Sequence, residues 1–267
     1  MPAAHELGLH TLLHLATVTS TMDEAHGRAS TGVPAGLLVV ADRQTAGRGR
    51  SGNRWTSEGA RGLWMTLLER PGDASMLRVL SLRVGLAIAR ALETLTTERV
   101  LVKWPNDLYM SSGKLGGILI EARWRESIVD WVAIGVGINL RVPASLAGAA
   151  ALPAGVTRAA LLRCVVPAVR AAAHGAAWLG VDELQEWHAR DLAIGRRIIA
   201  PVAGTVQGVA SDGALLVCED GQALPTALHA GSMVFANEPS DPNPPPPTRV
   251  AGTEEQPADA GGAEAPC

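Results

Sequence analysis

An α+β fold, a mixed sheet packed with helices and followed by a small C-terminal β-barrel-like unit, is predicted by three observations. Between residues 15 and 155, strand-like apolar runs do not alternate regularly with helical ones, which argues against a βαβ array. One long helix stands out by the three- and four-residue spacing of Leu77, Leu80, Val84, Ile88, Leu92 and Leu95. From residue 195 to 236 the chain breaks into short apolar runs separated by turn residues.

The elements follow in order. The opening stretch "MPAAHELGLHTLLHLATV" lacks the Lys or Arg region of a secretory signal. Ser20 or Thr21 is a good N-cap before "MDEAHGRA", with acidic residues in the first turn, so a short helix starts there. Strands are expected at 36–42 and 62–69, before the long helix. "VLVKW", "GGILIEARW" and "SIVDWVAIGVGINL" pair most simply as antiparallel hairpins. Residues 158 to 190 read as two helices, the second "DELQEWHARDL". "GRRIIA", "GTVQGVA", "GALLV" and "QALPTAL" are the short strands of the last folded unit. Three segments are therefore expected: 1–190, 191–236, and an acidic, proline-rich disordered tail over 237–267.

Composition narrows the function. A net charge of −3 argues against a broad nucleic-acid surface, so the positive charge near residue 50 is local. Cys164, Cys218 and Cys267 are far apart and lack metal-ligand spacing, which fits a reducing, cytoplasmic setting. No run has transmembrane character, so no membrane association is expected.

Three polar or glycine-rich islands interrupt the strands. The first, "RQTAGRGRSGNRW", puts four arginines and three glycines into thirteen positions. Within it Gly47 to Gly52 satisfies G-x-G-x-x-G, but no helix follows, which argues against a dinucleotide fingerprint. The second is "KWPNDLYMSSGKLGGILIE" and the third "GVGINL". Each has a bland reading: a solvated turn, an Asx turn at Pro105-Asn106-Asp107, a glycine bulge. Together they suit bringing two anions into contact. Arg48 and Arg50 are planar donors for carboxylate or phosphate, and Lys103 and Lys114 are point charges flanking Asp107. Asp107 can hold a divalent ion or accept a proton, and Trp55 offers a face for a flat ring.

The loop "GRGRSGNRW", the run "KWPND" with Lys-Leu-Gly-Gly beginning seven residues after its aspartate, and "GVGIN" resemble biotin–protein ligase over about residues 15 to 236. The resemblance implies a two-step reaction. Biotin and ATP give biotinyl-adenylate and pyrophosphate, and a lysine of a biotin carboxyl carrier protein then takes the biotinyl group. ATP, Mg²⁺ and biotin are the small molecules it implies, with no metal-ligating side chain assigned, and it leaves room for a homodimer.

By the same resemblance Lys114 is the catalytic lysine, between the biotin carboxylate and the α-phosphate, with Arg48 and Asp107 beside it. Ser20 and Thr21 match the pair that bonds the ureido end of biotin, and Gln44 matches a further contact. Gly47, Arg48, Gly49 and Arg50 match the loop that closes over the adenylate; Gly116 and Gly117 fall within the same biotin site. Trp55 matches the ring that orders with the nucleotide. Lys103, Asn106, Asp107 and Asn139 complete the implied ATP contacts. Met22 stands where the family usually has Asn. Asp107 is also expected to help deprotonate the acceptor amine. Only nineteen residues precede Ser20, too few for a helix-turn-helix, so no repressor arm and no DNA partner are expected. A lipoate or octanoate ligase or transferase is the alternative. A nucleic-acid module or an inactive biotin sensor would leave "KWPND" or Lys114 without purpose.

Overall fold

The computed structural model describes residues 1–57, 61–142 and 148–236. The tail expected over 237–267 lies outside the described residues.

Seven strands form the main sheet: β1 (Thr11–Val18), β2 (Leu37–Gln44), β3 (Gly62–Glu69), β4 (Leu101–Lys103), β5 (Asp107–Met110), β6 (Gly113–Arg125) and β7 (Ile128–Asn139). Their spatial order is β1-β2-β3-β7-β6-β5-β4. β1 runs parallel to β2, and every other neighbouring pair is antiparallel, so the sheet is mixed, as expected. The three strand runs expected between residues 100 and 140 are β4, β6 and β7, and β6 pairs with β7 as a hairpin, as expected. β5, which the sequence reading did not name, inserts between β4 and β6, so that four strands pair in consecutive antiparallel hairpins. β1 is an addition, for "TLLHLATV" does not alternate cleanly and its side chains are only partly covered at the sheet edge.

The helices cover the two faces unequally. α2 (Leu77–Leu92) and α3 (Arg158–Ala172) pack on one face, where Leu38, Val40, Leu63, Met65 and Leu67 meet Leu80, Val84 and Ile88. The long helix ends at Leu92; Leu95, on the same periodicity, packs against the core from the turn beyond it. α1 (Thr21–Ser30) takes part of the opposite face, where Ala25 and Ala29 cover Leu37, Val39 and Leu68. Ser20 caps α1, its hydroxyl accepting the Met22 N–H at 3.2 Å, with Asp23 and Glu24 in the first turn, where carboxylates favour the helix dipole. Because strand side chains alternate, the rest of this face carries Trp64 and Thr66 of β3, Gly135 and Gly137 of β7, and Gly117 and Leu119 of β6. The first turn of α1 reaches only Thr66 and Gly135 among them, and this part of the face lines a cavity.

α4 (Val181–Arg190) leads into a second sheet of β8 (Arg197–Ala200), β9 (Gly204–Val209), β10 (Leu215–Glu219), β11 (Thr226–Leu228) and β12 (Val234–Phe235), in the order β11-β10-β9-β8-β12. It is antiparallel throughout and open: the outer strands β11 and β12 do not pair with each other. This is the small β unit expected from the sequence, and β12 is one strand more than the sequence suggested. It shares the body's core, since Val217, Met233 and Phe235 belong to the same apolar cluster as α2. Two further ties hold it. The Trp104 indole N–H donates to the Gly213 carbonyl at 3.0 Å, and Arg83 of α2 reaches Glu183 of α4 with two nitrogens at 2.6 and 3.1 Å.

β6 and β7 approach too closely for a side chain at Gly116, where a Cβ would stand 2.5 Å from the Gly137 carbonyl oxygen. Gly116→Ala therefore forces the two backbones apart and should cost about 1–3 kcal/mol of stability, as overpacking does. Chemical denaturation measures this; an unchanged midpoint and slope would show that the strands separate without cost.

Candidate active site

A cavity of about 460 Å³ lies over the uncovered part of the sheet, within the range of small-ligand sites. α1 and β2 close one end with Ser20, Thr21, Met22 and Gln44, and the loop after β2 forms a wall with Arg48, Gly49, Arg50 and Trp55. The β4–β5 turn brings Lys103, Asn106 and Asp107 to the other end, β6 brings Lys114 and Gly117, and Ser232 to Val234 close the rim.

The closed end is a chain of oriented hydrogen bonds. The Thr66 hydroxyl donates to the Thr21 hydroxyl at 2.9 Å, which donates to Gln44 Oε1 at 3.1 Å. Gln44 Oε1 also accepts the Thr21 N–H at 2.8 Å, and Gln44 Nε2 donates to the Ser57 hydroxyl at 2.8 Å. Ser20, Thr21, Ser57 and Thr66 are all buried, so their polar atoms are held in place at low dielectric. Met22 is buried beside them with its Cε against Gly135. That position contributes apolar surface.

The middle is a glycine floor. Register aligns Ala41, Trp64, Gly137, Gly117 and Asp107 in one cross-strand row. The Trp55 indole lies over its two glycines: a Cβ at Gly137 would come within 2.7 Å of the ring and one at Gly117 within 3.1 Å. Trp64 meets Trp55 edge-on at 6.1 Å between centroids, and the buried Trp55 Nε1 has no acceptor among the described residues.

The open end is ionic. Lys114 Nζ stands 2.7 Å from Asp107 Oδ2 and 5.6 Å from the Trp55 ring centroid. Arg50 donates to Asn106 Oδ1 at 3.3 Å, and burial pushes its guanidinium below its ordinary value, opposed by the Asp107 charge. Asn106 is fixed in turn, its Nδ2 donating to the Ile118 carbonyl at 2.7 Å. Lys103 sits over the Phe235 ring at 4.7 Å, so the small sheet touches this end of the site.

The sequence thus identified most of what the fold brings together, with three qualifications. Gly47 and Gly116 are not in the lining; each allows a close backbone approach, Gly47 because a Cβ there would stand 2.5 Å from the Trp55 carbonyl oxygen. Asn139 is not in the lining either; its Nδ2 donates to the Ala150 carbonyl at 3.0 Å and the Lys114 carbonyl at 3.3 Å, tying the end of β7 to residues 149–150. Arg48 reaches the rim, but its guanidinium is bound by Asp23 at 2.9 Å and Glu121 at 3.0 Å. Sequence reasoning passed over Ser57, Thr66, Trp64, Gly135 and Gly137. Only the two glycines left a trace, in the "GVGINL" island.

The mixed sheet thus carries a cavity with polar groups at one end, a Lys–Asp pair at the other and a cationic loop beside it. Residues 15–139 match the Biotin/lipoate A/B protein ligase family. The chain is 39% identical over 136 residues to the "Bifunctional ligase/repressor BirA" of Bacillus spizizenii, a match spanning 50% of this chain and 41% of that protein. The chain therefore aligns with under half the length of that curated relative. Among solved structures, the biotin protein ligase of Aquifex aeolicus in complex with biotin and ATP has the same fold (TM-score 0.72, 24% identity, 85% of this chain and 100% of that one). The biotin protein ligase of Leishmania major in complex with biotinyl-5-AMP is 26% identical at a TM-score of 0.55, covering 83% of this chain and 99% of that one.

Beneath the site, His26 Nδ1 accepts the Trp131 indole N–H at 2.9 Å, and its Nε2 is 2.9 Å from Glu121 Oε2. Burial pushes this imidazole below its ordinary value, against the raising effect of Glu121. A histidine depressed in the folded state binds protons more readily unfolded. Its stabilising contribution is complete above the unfolded value near 6.5 and is lost as pH falls through the folded one. The unfolding free energy of the wild type relative to His26→Gln should therefore fall as the pH is lowered through the unfolded value near 6.5. A difference independent of pH in denaturant titrations would contradict this assignment.

Proposed function

We propose that this chain is an ATP-dependent biotin–protein ligase. It activates biotin as biotinyl-5'-adenylate and transfers the biotinyl group to a lysine of a biotin carboxyl carrier protein. The observation that carries the reading is the Lys114–Asp107 pair at 2.7 Å, at the opposite end of one cavity from the buried Thr66–Thr21–Gln44–Ser57 chain. That chain offers fixed donors and acceptors to a polar ring, and the Trp55 indole, seated on Gly137 and Gly117, supplies an apolar wall beside it. The carboxylate end of the ligand then reaches Lys114. The match of residues 15–139 to the family model and the biotinyl-5-AMP named for the Leishmania major structure support the substrate pair.

In the first step a biotin carboxylate oxygen bonds to the α-phosphorus of ATP and the bond to the β-phosphate oxygen breaks, releasing pyrophosphate. The obstacle is repulsion between two anions, and Lys114 with Arg50 supplies fixed positive charge against it. In the second step the acceptor amine bonds to the acyl carbon and AMP leaves with the broken C–O bond. Asp107, the carboxylate beside Lys114, takes the amine proton. No group of three or more His, Cys, Asp or Glu suited to a metal occurs among the described residues. Magnesium fits here as an ion carried by ATP phosphates and water, with Asp107 the one carboxylate lining the cavity among the described residues. We assign residues 1–190 to the biotin and ATP unit and 191–236 to the small β unit. A cytoplasmic setting agrees with the two described cysteines, which are free thiols, and with the lack of any membrane-spanning helix among the described residues.

A second reading, a lipoate or octanoate ligase or transferase, has one observation on its side: the thioether of Met22 adds apolar surface at the closed end.

Lys114→Ala should slow biotin-dependent pyrophosphate exchange by about a hundred- to a thousandfold, the usual cost of one fixed stabiliser of developing charge. Exchange at the wild-type rate would remove Lys114 from catalysis. Arg50→Gly should still form the adenylate but retain it less well, because the loop loses its bond to the β4–β5 turn. With biotin, ATP and serum albumin, the variant should biotinylate albumin well above wild type. Retention of the adenylate for as long as the wild type retains it would show that Arg50 does not hold the loop shut.

A further inference from the structure

The arginine–glycine loop is closed mainly on itself. Gly49 N–H donates to the Asn53 carbonyl at 2.7 Å, Asn53 N–H to the Arg50 carbonyl at 3.0 Å, and Trp55 N–H to the Gly47 carbonyl at 2.9 Å. Two arginines fasten this small unit to the body from opposite sides. Arg50 makes one bond to a neutral amide at 3.3 Å, whereas Arg48 meets two carboxylates, Asp23 of α1 at 2.9 Å and Glu121 of β6 at 3.0 Å. Charge-assisted bonds at the shorter distance are the stronger fastening.

Glu121 is itself aimed from behind. The Trp131 indole can only donate, so His26 Nδ1 must accept and the neutral ring carries its proton on Nε2, facing Glu121. Glu121 Oε2 thus receives His26 and Arg48 together, at 2.9 and 3.0 Å. Neither His26, Trp131, Asp23 nor Glu121 lines the ligand cavity. The chain of contacts runs from Trp131 and His26 to Arg48, which alone among them lines the cavity; Asp23 and Glu121 line an adjoining cleft together with Arg48 and Arg50.

We propose that Asp23 and Glu121, the latter held by His26 and Trp131, are positioning residues that hold the loop against the cavity through Arg48. The proposal rests on the ligase reading only for what the loop retains; the fastening itself is a property of the ligand-free chain. A free loop would let an activated acyl group escape, so these carboxylates set how long the adenylate stays bound.

The test is limited trypsin digestion of the ligand-free protein, with cleavage after Arg50 and Arg54 resolved by mass spectrometry. Asp23→Asn and Glu121→Gln should each raise cleavage by about fivefold, the scale of a partly exposed ion pair, with unchanged melting temperature. In an Arg48→Gln background neither substitution should raise it further. Asp23 is half exposed and its substitution tolerable, so the test stands even where Glu121→Gln folds poorly. Cleavage in Asp23→Asn within twofold of wild type, or an equal rise with and without Arg48, overturns the proposal. In a parallel arm with biotin, ATP and albumin, Asp23→Asn should increase albumin labelling relative to wild type. Equal labelling alongside faster cleavage overturns the retention role. If no variant, wild type included, forms any adenylate, the ligase reading fails while the digestion result still decides the fastening.

Discussion

A β-sheet presents side chains on both faces, so a flat ring can lie directly on its backbone only where those side chains are missing. Here the missing row is Gly137 and Gly117, with Gly135 one row on, and the rest of the site is arranged around that absence. Trp55 rests on the two glycines, Trp64 meets its edge, and Lys114 and Asp107 stand at the end of the same row. α1 is short enough to leave the row uncovered, and its capped N-terminus delivers Ser20 and Thr21 to the near end. Extra bulk at either glycine would first displace Trp55, and the polar groups that now share one cavity would be divided.

The electrostatics follow the same geometry. The chain as a whole is slightly acidic, yet Lys103, Lys114, Arg48 and Arg50 converge on one rim. Each has a partner: Asp107 for Lys114, Asn106 for Arg50, Asp23 and Glu121 for Arg48, and the Phe235 ring for Lys103. A cationic rim is thereby kept from accumulating bare charge, and the burial that makes Arg50 harder to protonate also strengthens its field on nearby groups. The small sheet contributes to the same rim through Phe235 under Lys103, which explains why it shares the body's core.

Much of this was legible in the sequence because its signals are local. The α2 periodicity, the Ser20 cap, the hairpin succession from residue 101 and the turn at Pro105 depend on neighbours within a few residues. The resemblance carried by "GRGRSGNRW", "KWPND" and "GKLGG" located Lys114, Asp107 and the loop. What escaped depends on long-range register. Thr66 and Trp64 look like ordinary strand residues until β3 is set beside β7, and β1 becomes a strand only through its parallel pairing with β2. Arg48 is a comparable case. Its motif suggested a ligand contact, but its partners come from residues 23 and 121, far away along the chain.

The central claim is that the cavity between the Thr21–Gln44 end and the Lys114–Asp107 pair receives biotin and joins it to a nucleotide. It is tested most directly by incubating the purified chain with ATP, Mg²⁺ and radiolabelled biotin, and in parallel with radiolabelled lipoate. The products are quenched and separated before any carrier protein is added. The account predicts an acid-labile, AMP-linked product with biotin and none with lipoate. A lipoyl-adenylate formed in preference to the biotinyl one, or no adenylate from either acid, would contradict it.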